Sequence, residues 1–381
     1  MGGELREWRD CKLGDVLELK RGYDLPSQHR HPGPVPIVSS SGPSGFHSEA
    51  MVKAPGVVTG RYGTIGEVFF VAQDFWPLNT TLYVRDFKGS DPKFVSYFLK
   101  TIDFYSCSDK AAVPGVNRNH LHELPVRLPP IAEQRVIARI LGALDDKIEL
   151  NRKMNATLEA MARALFKSWF VDAPAPSWQT APLAEWVDVL SGGTPSKANT
   201  ALWGGALKWI SPKAMTSLHA DECDDHVTEQ AVGNGTRVAP NGSTLIMVRG
   251  MGLHDGVRVS QVREDVTFNQ DVKALLPRNI EPDLLLFAML DAQEALHKRV
   301  ETSGHGTGKL PSEILLAHPI TMPPREIQRE LVVHFSTLNN RIAANRTESR
   351  TLALLRDELL PCLLSGEVSV ASAECAVGAV P

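Results

Sequence analysis

Residues 129–172 read PPIAEQRVIARILGALDDKIELNRKMNATLEAMARALFKSWFVD, which is the pattern of one long amphipathic helix. Apolar residues recur at alternating steps of four and three, forming the heptad seam of a helix that packs on another helix. A helix over residues 133–170 would be about 57 Å long at roughly 1.5 Å per residue. Such a helix is too long to be one core element of a small domain, so it requires a partner helix.

The partner helix is predicted in the same chain. Residues 323–368 read PPREIQRELVVHFSTLNNRIAANRTESRTLALLRDELLPCLLSGEV. They align with the first segment without a gap at a constant offset of 194 residues, so that Pro129 meets Pro323. The match includes Pro-Pro, Gln-Arg and Asn-Arg pairs as well as the seam leucines, which two unrelated amphipathic helices would not share. We infer an internal duplication.

The seam of both helices contains a repeated polar position among the apolar ones. A buried asparagine at such a position fixes the register of paired helices at some cost in stability. We expect the whole seam to be structural. Its residues are Ile137, Leu141, Leu144, Ile148, Asn151, Leu158 and Leu165 in the first helix, and Leu331, Phe335, Leu338, Ile342, Asn345, Leu352 and Leu359 in the second.

Length and composition are those of an ordinary soluble globular protein with two or three domains. The chain has 381 residues, of which 43% are hydrophobic and 22% charged, and a net charge of −4. This balance excludes a uniformly basic protein but allows local basic surfaces, which are what nucleic-acid binding requires. The five cysteines are scattered and indicate neither a zinc site nor a disulfide framework.

We expect an intracellular, reducing compartment, and therefore a cytoplasmic protein. The first residues, MGGELREW, are charged and lack the apolar core of a signal peptide. The longest apolar runs, such as residues 284–290, are far too short to span a bilayer.

A mixed α/β globular domain precedes each long helix, and the two domains share one plan. Each begins with a tryptophan, a short apolar run and a polar loop, continues with strands, and has a helix that opens at an acid–proline pair, Asp91-Pro92 or Glu281-Pro282. Strands are predicted at residues 35–39, 56–59, 68–72 and 81–84, and at 207–210, 244–248, 257–262 and 272–276. The fold class is therefore α/β, with a pseudo-two-fold internal repeat.

The predicted boundaries follow from this repeat. The first domain covers residues 1–128 and the first long helix 129–172. The second domain covers residues 173–322, beginning with a stiff Ala-Pro-Ala-Pro linker, and the second long helix covers 323–366. Residues 367–381 are small and apolar without periodicity, and we predict a disordered tail.

These residues resemble the specificity subunit of type I restriction–modification systems over about residues 8–368. The motifs that carry the resemblance are Leu128-Pro129-Pro130 with Glu133-Gln134, Asp145 with Ile148 and Asn151, Phe166 with Trp169-Phe170, Gly63 with Gly66, and Ser191-Gly192-Gly193-Thr194-Pro195. The second helix departs from the family pattern. It has Ile327-Gln328 in place of Glu-Gln, and Asn339 in place of Asp.

The resemblance implies two target-recognition domains separated by two long antiparallel coiled-coil helices. Each domain would read one half of a bipartite, asymmetric DNA site, and the helices would serve as spacer and as docking platform. The implied partners are double-stranded DNA, two methyltransferase subunits and the restriction/translocase subunits. The resemblance implies no catalysis and no cofactor in this chain, with S-adenosylmethionine, ATP and magnesium on the partner subunits.

The geometry of the predicted helix agrees with that role, because about 57 Å equals between one and two turns of B-DNA at roughly 34–36 Å per turn. Base edges are read mainly by Arg, Asn, Gln and Lys, and phosphates are held by Lys, Arg and backbone N–H groups. The loop residues that we predict to contact DNA are Lys20, Arg21, Tyr23, Arg30, Arg61, Tyr62, Thr64, Asn117, Arg118, Ser191, Thr194, Lys197, Lys213, Arg249, Met251, His254, His305 and Lys309.

Each of these loops also has a purely structural interpretation. Residues 60–66 and 249–254 are either plain hairpin turns or DNA contacts, and the basic residues between 20 and 53 are either DNA contacts or a solvated face. Residues 304–309, GHGTGK, are not a Walker loop, because Ser303 and Leu310 stand where that loop needs Gly and Ser or Thr. They form either a DNA-facing turn or a solvated loop. Asn79 and Asn269 are expected to hold local backbone.

The rival hypothesis is a coiled-coil adaptor whose two globular ends bind proteins. Basic concave surfaces on both domains would favour DNA, whereas apolar or acidic surfaces would favour the adaptor. An enzyme is not indicated, because the sequence has neither the Asn/Asp-Pro-Pro-Tyr/Phe loop of amino-methyltransferases nor a Gly-rich cofactor turn. The carboxylates of residues 145–149 are most simply the solvated face of a helix.

Overall fold

The computed structural model describes residues 8–109, 115–304 and 306–373. The chain forms two compact units. Unit 1 comprises residues 1–149 with 349–381, and unit 2 comprises residues 150–348. Each unit therefore contains one globular domain together with a part of each long helix.

The two predicted long helices are both helical. Apart from a single turn at residues 370–373, the α-helices of the described residues are α1 Leu13–Val16, α2 Pro92–Lys100, α3 Arg118–His122, α4 Ile131–Phe166, α5 Pro282–His297, α6 Ser312–Leu316 and α7 Arg325–Ser365. The 36 residues of α4 correspond to about 54 Å. The helices predicted at the two acid–proline pairs are α2 and α5, and in α2 the Asp91 side chain caps the helix by accepting from the backbone N–H of Phe94.

The end of the first long helix differs from the prediction of one regular helix over residues 133–170. Residues Lys167–Asp172 form a π-helix that continues α4. Phe166 and Phe170 stack with ring centroids 4.6 Å apart, and both contact Phe335 of α7. The wide turns of the π-helix thus occur where the helix packs its aromatic side chains within unit 2. Because this packing involves residues far apart in the sequence, the heptad pattern does not predict it.

Unit 1 contains a four-stranded sheet in the order β2-β8-β5-β6 and a three-stranded sheet in the order β4-β3-β7. Its strands are β1 Arg9–Lys12, β2 Glu18–Arg21, β3 Val35–Ser39, β4 Gly42–His47, β5 Gly56–Gly60, β6 Val68–Val71, β7 Trp76–Pro77, β8 Thr81–Asp86, β9 Ser108–Asp109, β10 Gly115–Val116 and β11 Pro125–Leu128. All four strands predicted for the first domain are present. Helix α2 packs on β5 and β6.

Unit 2 contains two four-stranded sheets, β13-β21-β17-β19 and β15-β14-β20-β16, and a small sheet β18-β23-β22. Its strands are β12 Gln179–Pro182, β13 Val187–Ser191, β14 Trp203–Ile210, β15 His226–Val227, β16 Val238–Ala239, β17 Thr244–Met247, β18 Arg249–Gly250, β19 Val259–Gln261, β20 Val266–Phe268, β21 Val272–Pro277, β22 Glu301–Thr302, β23 Gly308–Lys309 and β24 Pro319–Met322. The four predicted strands are again present, although the strand predicted at 257–262 is reduced to β19.

The long helices supply part of the core of each unit. In unit 1, Leu141 of α4 and Leu363 of α7 are buried with Phe94 and Leu99 of α2. In unit 2, Phe166 and Phe335 are buried with Leu286 of α5. Every predicted seam residue is buried or half-buried. Removing this apolar surface from water, at about 25 cal/mol per Å², is what holds each globular domain on its helix segments.

The glutamine repeated at the start of the two long helices makes the same clamp in both units. The Gln134 amide accepts from the backbone N–H of Asp91 at 3.0 Å and donates to the carbonyl of Pro129 at 3.0 Å. The Gln328 amide accepts from the backbone N–H of Glu281 at 3.1 Å and donates to the carbonyl of Pro323 at 2.9 Å. Both glutamines are buried. The duplicated Pro-Pro and Gln therefore tie each long helix to the start of α2 or α5.

The residues after α7 are ordered as far as the structure describes them. Val368 and Val370 pack against the core of unit 1, and Ala373 is fully buried there. The disorder predicted for residues 367–381 is wrong for this first part, because these small apolar side chains find a buried surface. Residues 374–381 lie outside the described residues. No helix in the described part of the chain is both long and apolar enough to cross a membrane.

Candidate nucleic-acid interface

Each unit has a first polar loop, residues 20–24 in unit 1 and 191–194 in unit 2. In both, a glycine allows this loop to lie directly on a neighbouring turn. Gly22 follows β2 and donates its N–H to the carbonyl of Thr81 at 3.1 Å, and a Cβ at this position would collide with the carbonyl oxygen of Leu78. In unit 2, a Cβ on Gly192 would collide with the carbonyl oxygens of Phe268 and Asn269. Only glycine permits this approach of two backbones. The approach places residues 20–24 beside Asn79, and residues 191–194 beside Asn269.

A second pair of loops comes together in unit 1. The backbone N–H of Val116 donates to the carbonyl of Arg61 at 3.1 Å, and Tyr62 forms a β-bridge with Gly115. The Tyr62 ring occupies the space that a Cβ on Gly115 would fill. The Arg61 guanidinium lies 4.6 Å from the centre of the Tyr62 ring. The predicted loop at 60–66 and residues 115–118 therefore form one surface, with the exposed Arg118 at the start of α3.

The equivalent loops of unit 2 come together in the same way. Strands β18 and β23 pair antiparallel, with Arg249 opposite Lys309 and Gly250 opposite Gly308. The His254 Nε2–H donates to the carbonyl of Gly306 at 2.9 Å. We call these paired loops, residues 60–64 with 115–118 in unit 1 and 249–254 with 306–309 in unit 2, the paired-loop surfaces.

The paired-loop surface of unit 2 carries unneutralised positive charge. Arg249 and Lys309 are exposed, and in the described part of the chain neither side chain makes a hydrogen bond or an ion pair. Like charges directly opposite each other destabilise a strand pair. Glu301 of β22 lies opposite Lys309 on the other side but forms no ion pair with it. An anionic partner would relieve the repulsion, and phosphates and guanine edges are the groups that Arg and Lys bind in DNA.

Apolar and aromatic side chains flank these cations. Met251 is 66% exposed, in the turn that follows β18. Tyr62 is 37% exposed. Thr64 is exposed in the loop after β5, and Asn117 caps α3 by accepting from the backbone N–H of Asn119 at 3.0 Å.

The first polar loops are more strongly tied to neighbouring residues. In unit 1, Arg21 lies 3.6 Å from the carboxylate of Asp24, and Lys20 lies 5.5 Å from the centre of the Tyr23 ring. Tyr23 and Tyr83 share a hydrogen bond of 3.0 Å between their hydroxyls. That hydrogen bond lowers the pKa of Tyr23, whereas burial raises the pKa of Tyr83.

In unit 2, side-chain hydrogen bonds hold the first polar loop. Thr194 donates to the Gln270 side chain at 2.5 Å, and Ser191 accepts from Lys273 at 3.1 Å. Lys197 is exposed and lies 5.8 Å from the centre of the Trp203 ring. Asn269 accepts from the backbone N–H of Asp271 at 3.1 Å, which confirms the prediction that it holds local backbone.

Two predicted contact residues, Lys213 and Arg30, lie outside both the paired-loop surfaces and residues 20–24 and 191–197. Lys213 forms an exposed ion pair of 2.9 Å with Asp224, next to a pocket lined by Trp209 and Ser211. Arg30 is half-buried in the segment before β3. His305 lies outside the described residues.

An aromatic cluster that the sequence pattern did not predict lies behind the first polar loop of unit 1. Tyr23 meets Trp76 edge-on at 6.3 Å, and His47 meets Trp76 edge-on at 5.1 Å. The cluster forms because β7 pairs with β3 in parallel, which brings distant residues together. The described residues contain no group of His, Cys, Asp or Glu that could hold a metal ion.

Comparison with known proteins gives one consistent result. The family model described as "Type I restriction modification DNA specificity domain" matches residues 6–160 and 176–353. A type I restriction enzyme specificity subunit from Escherichia coli is 26% identical over 268 residues, which cover 66% of this chain and 64% of the relative. The chain thus spans slightly less than two thirds of that relative. A specificity subunit from Haemophilus influenzae is 24% identical over 343 residues, covering 68% of this chain and 72% of the relative.

A solved structure has the same fold. The crystal structure of the S subunit of a type I restriction–modification system from M. genitalium superposes with a TM-score of 0.62 at 17% sequence identity. The superposition covers 95% of this chain and 97% of the other.

Proposed function

Because this chain belongs to the family of type I restriction–modification DNA specificity domains, we propose that it is the subunit that selects the DNA sequence for such a complex. The observation that carries the proposal is that each of the two matched segments contains its own paired-loop surface. Proteins of this kind recognise DNA and leave the chemistry to other subunits. The match to a DNA specificity family favours this function over the adaptor alternative.

The arrangement of the site follows from the duplication. Each unit would read one half of a bipartite DNA site, and because the two loop sets differ in sequence, the halves would be unlike. The paired-loop surface of unit 2 would place Arg249 and Lys309 against bases or phosphates, and that of unit 1 would do the same with Arg61 and Arg118.

We further propose that α4 and α7 run as an antiparallel coiled-coil pair that spaces the two readers. Contacts inside each unit support this. In unit 1 the Arg356 guanidinium lies 2.7 Å from the carboxylate of Asp145. In unit 2 the Asn345 amide donates to the Asn155 side chain at 2.8 Å, and the Asn155 amide donates to the carbonyl of Ile342 at 3.3 Å. As the residue number increases along α4, the number of the contacted residue on α7 decreases. This is the pattern of antiparallel helices.

The remaining parts of the complex are proposals of the same kind. Two methyltransferase subunits would dock on the helices, and restriction/translocase subunits would join them. S-adenosylmethionine, ATP and magnesium would be bound by those partners, in the cytoplasm, where the DNA is.

The test is to produce the full chain together with its methyltransferase subunit and to map the methylated bases in the host DNA. We expect a bipartite, asymmetric motif. Exchanging residues 178–318 for the second reader of another specificity subunit should change one half of the motif and leave the other. A continuous motif, or an exchange that alters both halves, would contradict the proposal.

A further inference from the structure

A buried polar cluster in unit 2 joins α7 to the globular domain. The Asn339 amide nitrogen of α7 donates to Gln261 Oε1 at 2.8 Å and to Asp283 Oδ1 at 2.7 Å. Asn339 Oδ1 lies 2.6 Å from Nε2 of His219, and the Gln261 amide donates to Asp283 Oδ1 at 3.0 Å. We call these four residues the unit 2 joint. All four are less than 9% exposed, so each hydrogen bond is sheltered from water.

The protonation of the joint follows from its hydrogen bonds. Both amide hydrogens of Asn339 are used, so its oxygen faces His219, and the His219 Nε2–H is the donor. Burial lowers the pKa of His219, although Asn339 and Asp221 act in the opposite direction. The ring is therefore neutral near pH 7, with an unprotonated Nδ1 that has no partner among the described residues. Among the residues that the structure describes, Asp283 is the one acid in direct contact with the Asn339 amide.

The joint holds the base of the hairpin that carries the paired-loop surface of unit 2. Gln261 is the last residue of β19, and β17 and β19 are connected by the loop that contains Arg249 and Met251. The segment around His219 is fastened to the same strand, since the Gln261 N–H donates to the carbonyl of Leu218 at 2.8 Å. Asp283 lies in the first turn of α5, which packs on β19.

Unit 1 has a polar contact between its long helix and its globular domain at the repeat-equivalent position. There the acid is on the long helix, whereas in unit 2 it is on the globular domain. Asp145 of α4 corresponds to Asn339 at the offset of 194 residues, and it accepts from the Tyr97 hydroxyl of α2 at 2.5 Å. Aligning the acid–proline pairs that open α2 and α5 places Lys93 where unit 2 has Asp283. The carboxylate thus lies on the long helix in unit 1 and on the globular domain in unit 2.

We propose that Asn339 is a positioning residue for recognition of the second half-site, and that each globular domain is matched to its helix by the placement of a single carboxylate, buried in unit 2 and half-buried in unit 1. An aspartate at position 339 would put two carboxylates in contact in a buried site, and both donors to Asp283 and Gln261 would be lost. The hairpin base would shift, and with it Arg249. The proposal rests on the proposed function, because its readout is DNA recognition.

The test uses the full chain assembled with its methyltransferase subunit, and DNA duplexes with an intact site or with either half-site altered. Asn339→Asp should weaken binding of the intact site about tenfold or more, as expected for a buried polar group left unpaired. Discrimination against an altered second half-site should fall, while discrimination at the first half-site stays unchanged. The double variant Asn339→Asp with Asp283→Asn moves the single carboxylate onto α7, just as unit 1 has it on α4. It should recover most of the lost binding of the intact site and most of the lost discrimination at the second half-site.

The matched control is Asn340→Asp. This neighbouring residue is exposed, and its side-chain oxygen accepts from Arg263 at 2.5 Å, a role that aspartate retains. The positioning role is wrong if Asn339→Asp behaves like this control, if both half-sites lose discrimination equally, or if the double variant is as poor as the single one. A wild-type complex that shows no bipartite site would instead refute the proposed function.

Discussion

Asp145 makes two short side-chain contacts in unit 1, accepting from the Tyr97 hydroxyl at 2.5 Å and from the Arg356 guanidinium at 2.7 Å. Burial would raise the pKa of this carboxyl, but the hydrogen bonds from Tyr97 and Arg356 outweigh it and lower the pKa. Asp145→Asn should therefore reduce the free energy of unfolding at pH 7 by about 1.5–3 kcal/mol, the usual value of hydrogen bonds to a charged group. Urea denaturation of the full chain measures this change.

The pH dependence of that difference has a definite sign. Because the folded pKa of Asp145 lies below its unfolded value of about 3.9, the stabilisation is complete above that value. It is lost as the pH falls through the folded pKa, so wild type and variant should converge below about pH 4. Asp146→Asn, at the exposed neighbouring position, should change the free energy of unfolding at pH 7 little. Equal effects of the two substitutions would refute the assignment.

Arg249 is the residue at which charge and position most directly predict DNA contact. Its guanidinium is exposed and faces Lys309 across paired strands. Arg249→Ala should weaken binding of the assembled complex by about 1–3 kcal/mol and relax discrimination at the second half-site only, as expected for loss of a base contact. Arg278→Ala, at an arginine that already pairs with Asp188 at 3.1 Å and is not among the predicted DNA contacts, serves as the control and should have little effect. Equal weakening on all sequences would identify Arg249 as a phosphate contact instead.

At the scale of elements, the glutamine clamps explain why Pro-Pro and Gln recur together. Gln328→Leu would leave the backbone N–H of Glu281 without its buried acceptor, and Gln134→Leu would do the same to Asp91. Each substitution should cost about 1–3 kcal/mol of stability. Because the clamp is duplicated, the two effects should be similar in size. Arg329→Leu, an exposed substitution on the same turn of α7, is the control in the same denaturation experiment.

The elements that sequence predicted well are those set by local pattern. Heptad spacing indicated α4 and α7, and the acid–proline pairs indicated α2 and α5. The joint of unit 2 was not predictable in this way, because Asn339 is contacted by residues 120, 78 and 56 positions away in the chain. The same holds for the pairing of Arg249 with Lys309. Loop composition identified both residues as candidates, but only the fold shows that they face each other.

At the scale of the whole molecule, the duplication predicts how a half-length fragment would behave. A fragment of residues 1–172 retains the first globular domain and α4 but lacks Leu363 and Leu364, which are buried in the core of unit 1. The exposed apolar surface would cost about 25 cal/mol per Å². At the repeat offset, Trp169 and Phe170 take the places of those leucines. A second copy can supply them through a self-complementary two-fold contact, so we expect a homodimer.

With methyltransferase partners, that dimer should modify a palindrome built from the first half-site alone. Sedimentation that shows only monomer at tens of micromolar would contradict the prediction that two copies of the fragment pair through the apolar seam of α4. A dimer with a non-palindromic methylated site would contradict the two-fold contact.

The dimer should also have one identifiable weakness, since Ala162 occupies the repeat position of Arg356. Each Asp145 would then lose its guanidinium partner, leaving a partly buried carboxylate with the Tyr97 hydroxyl alone. Ala162→Arg in the fragment should restore the ion pair and tighten the dimer about tenfold, or roughly 1.4 kcal/mol. Ala160→Arg, at an exposed position of the same helix, adds the same charge and should not. If both arginines tighten the dimer equally, or neither does, the two halves of the chain are not interchangeable at this contact.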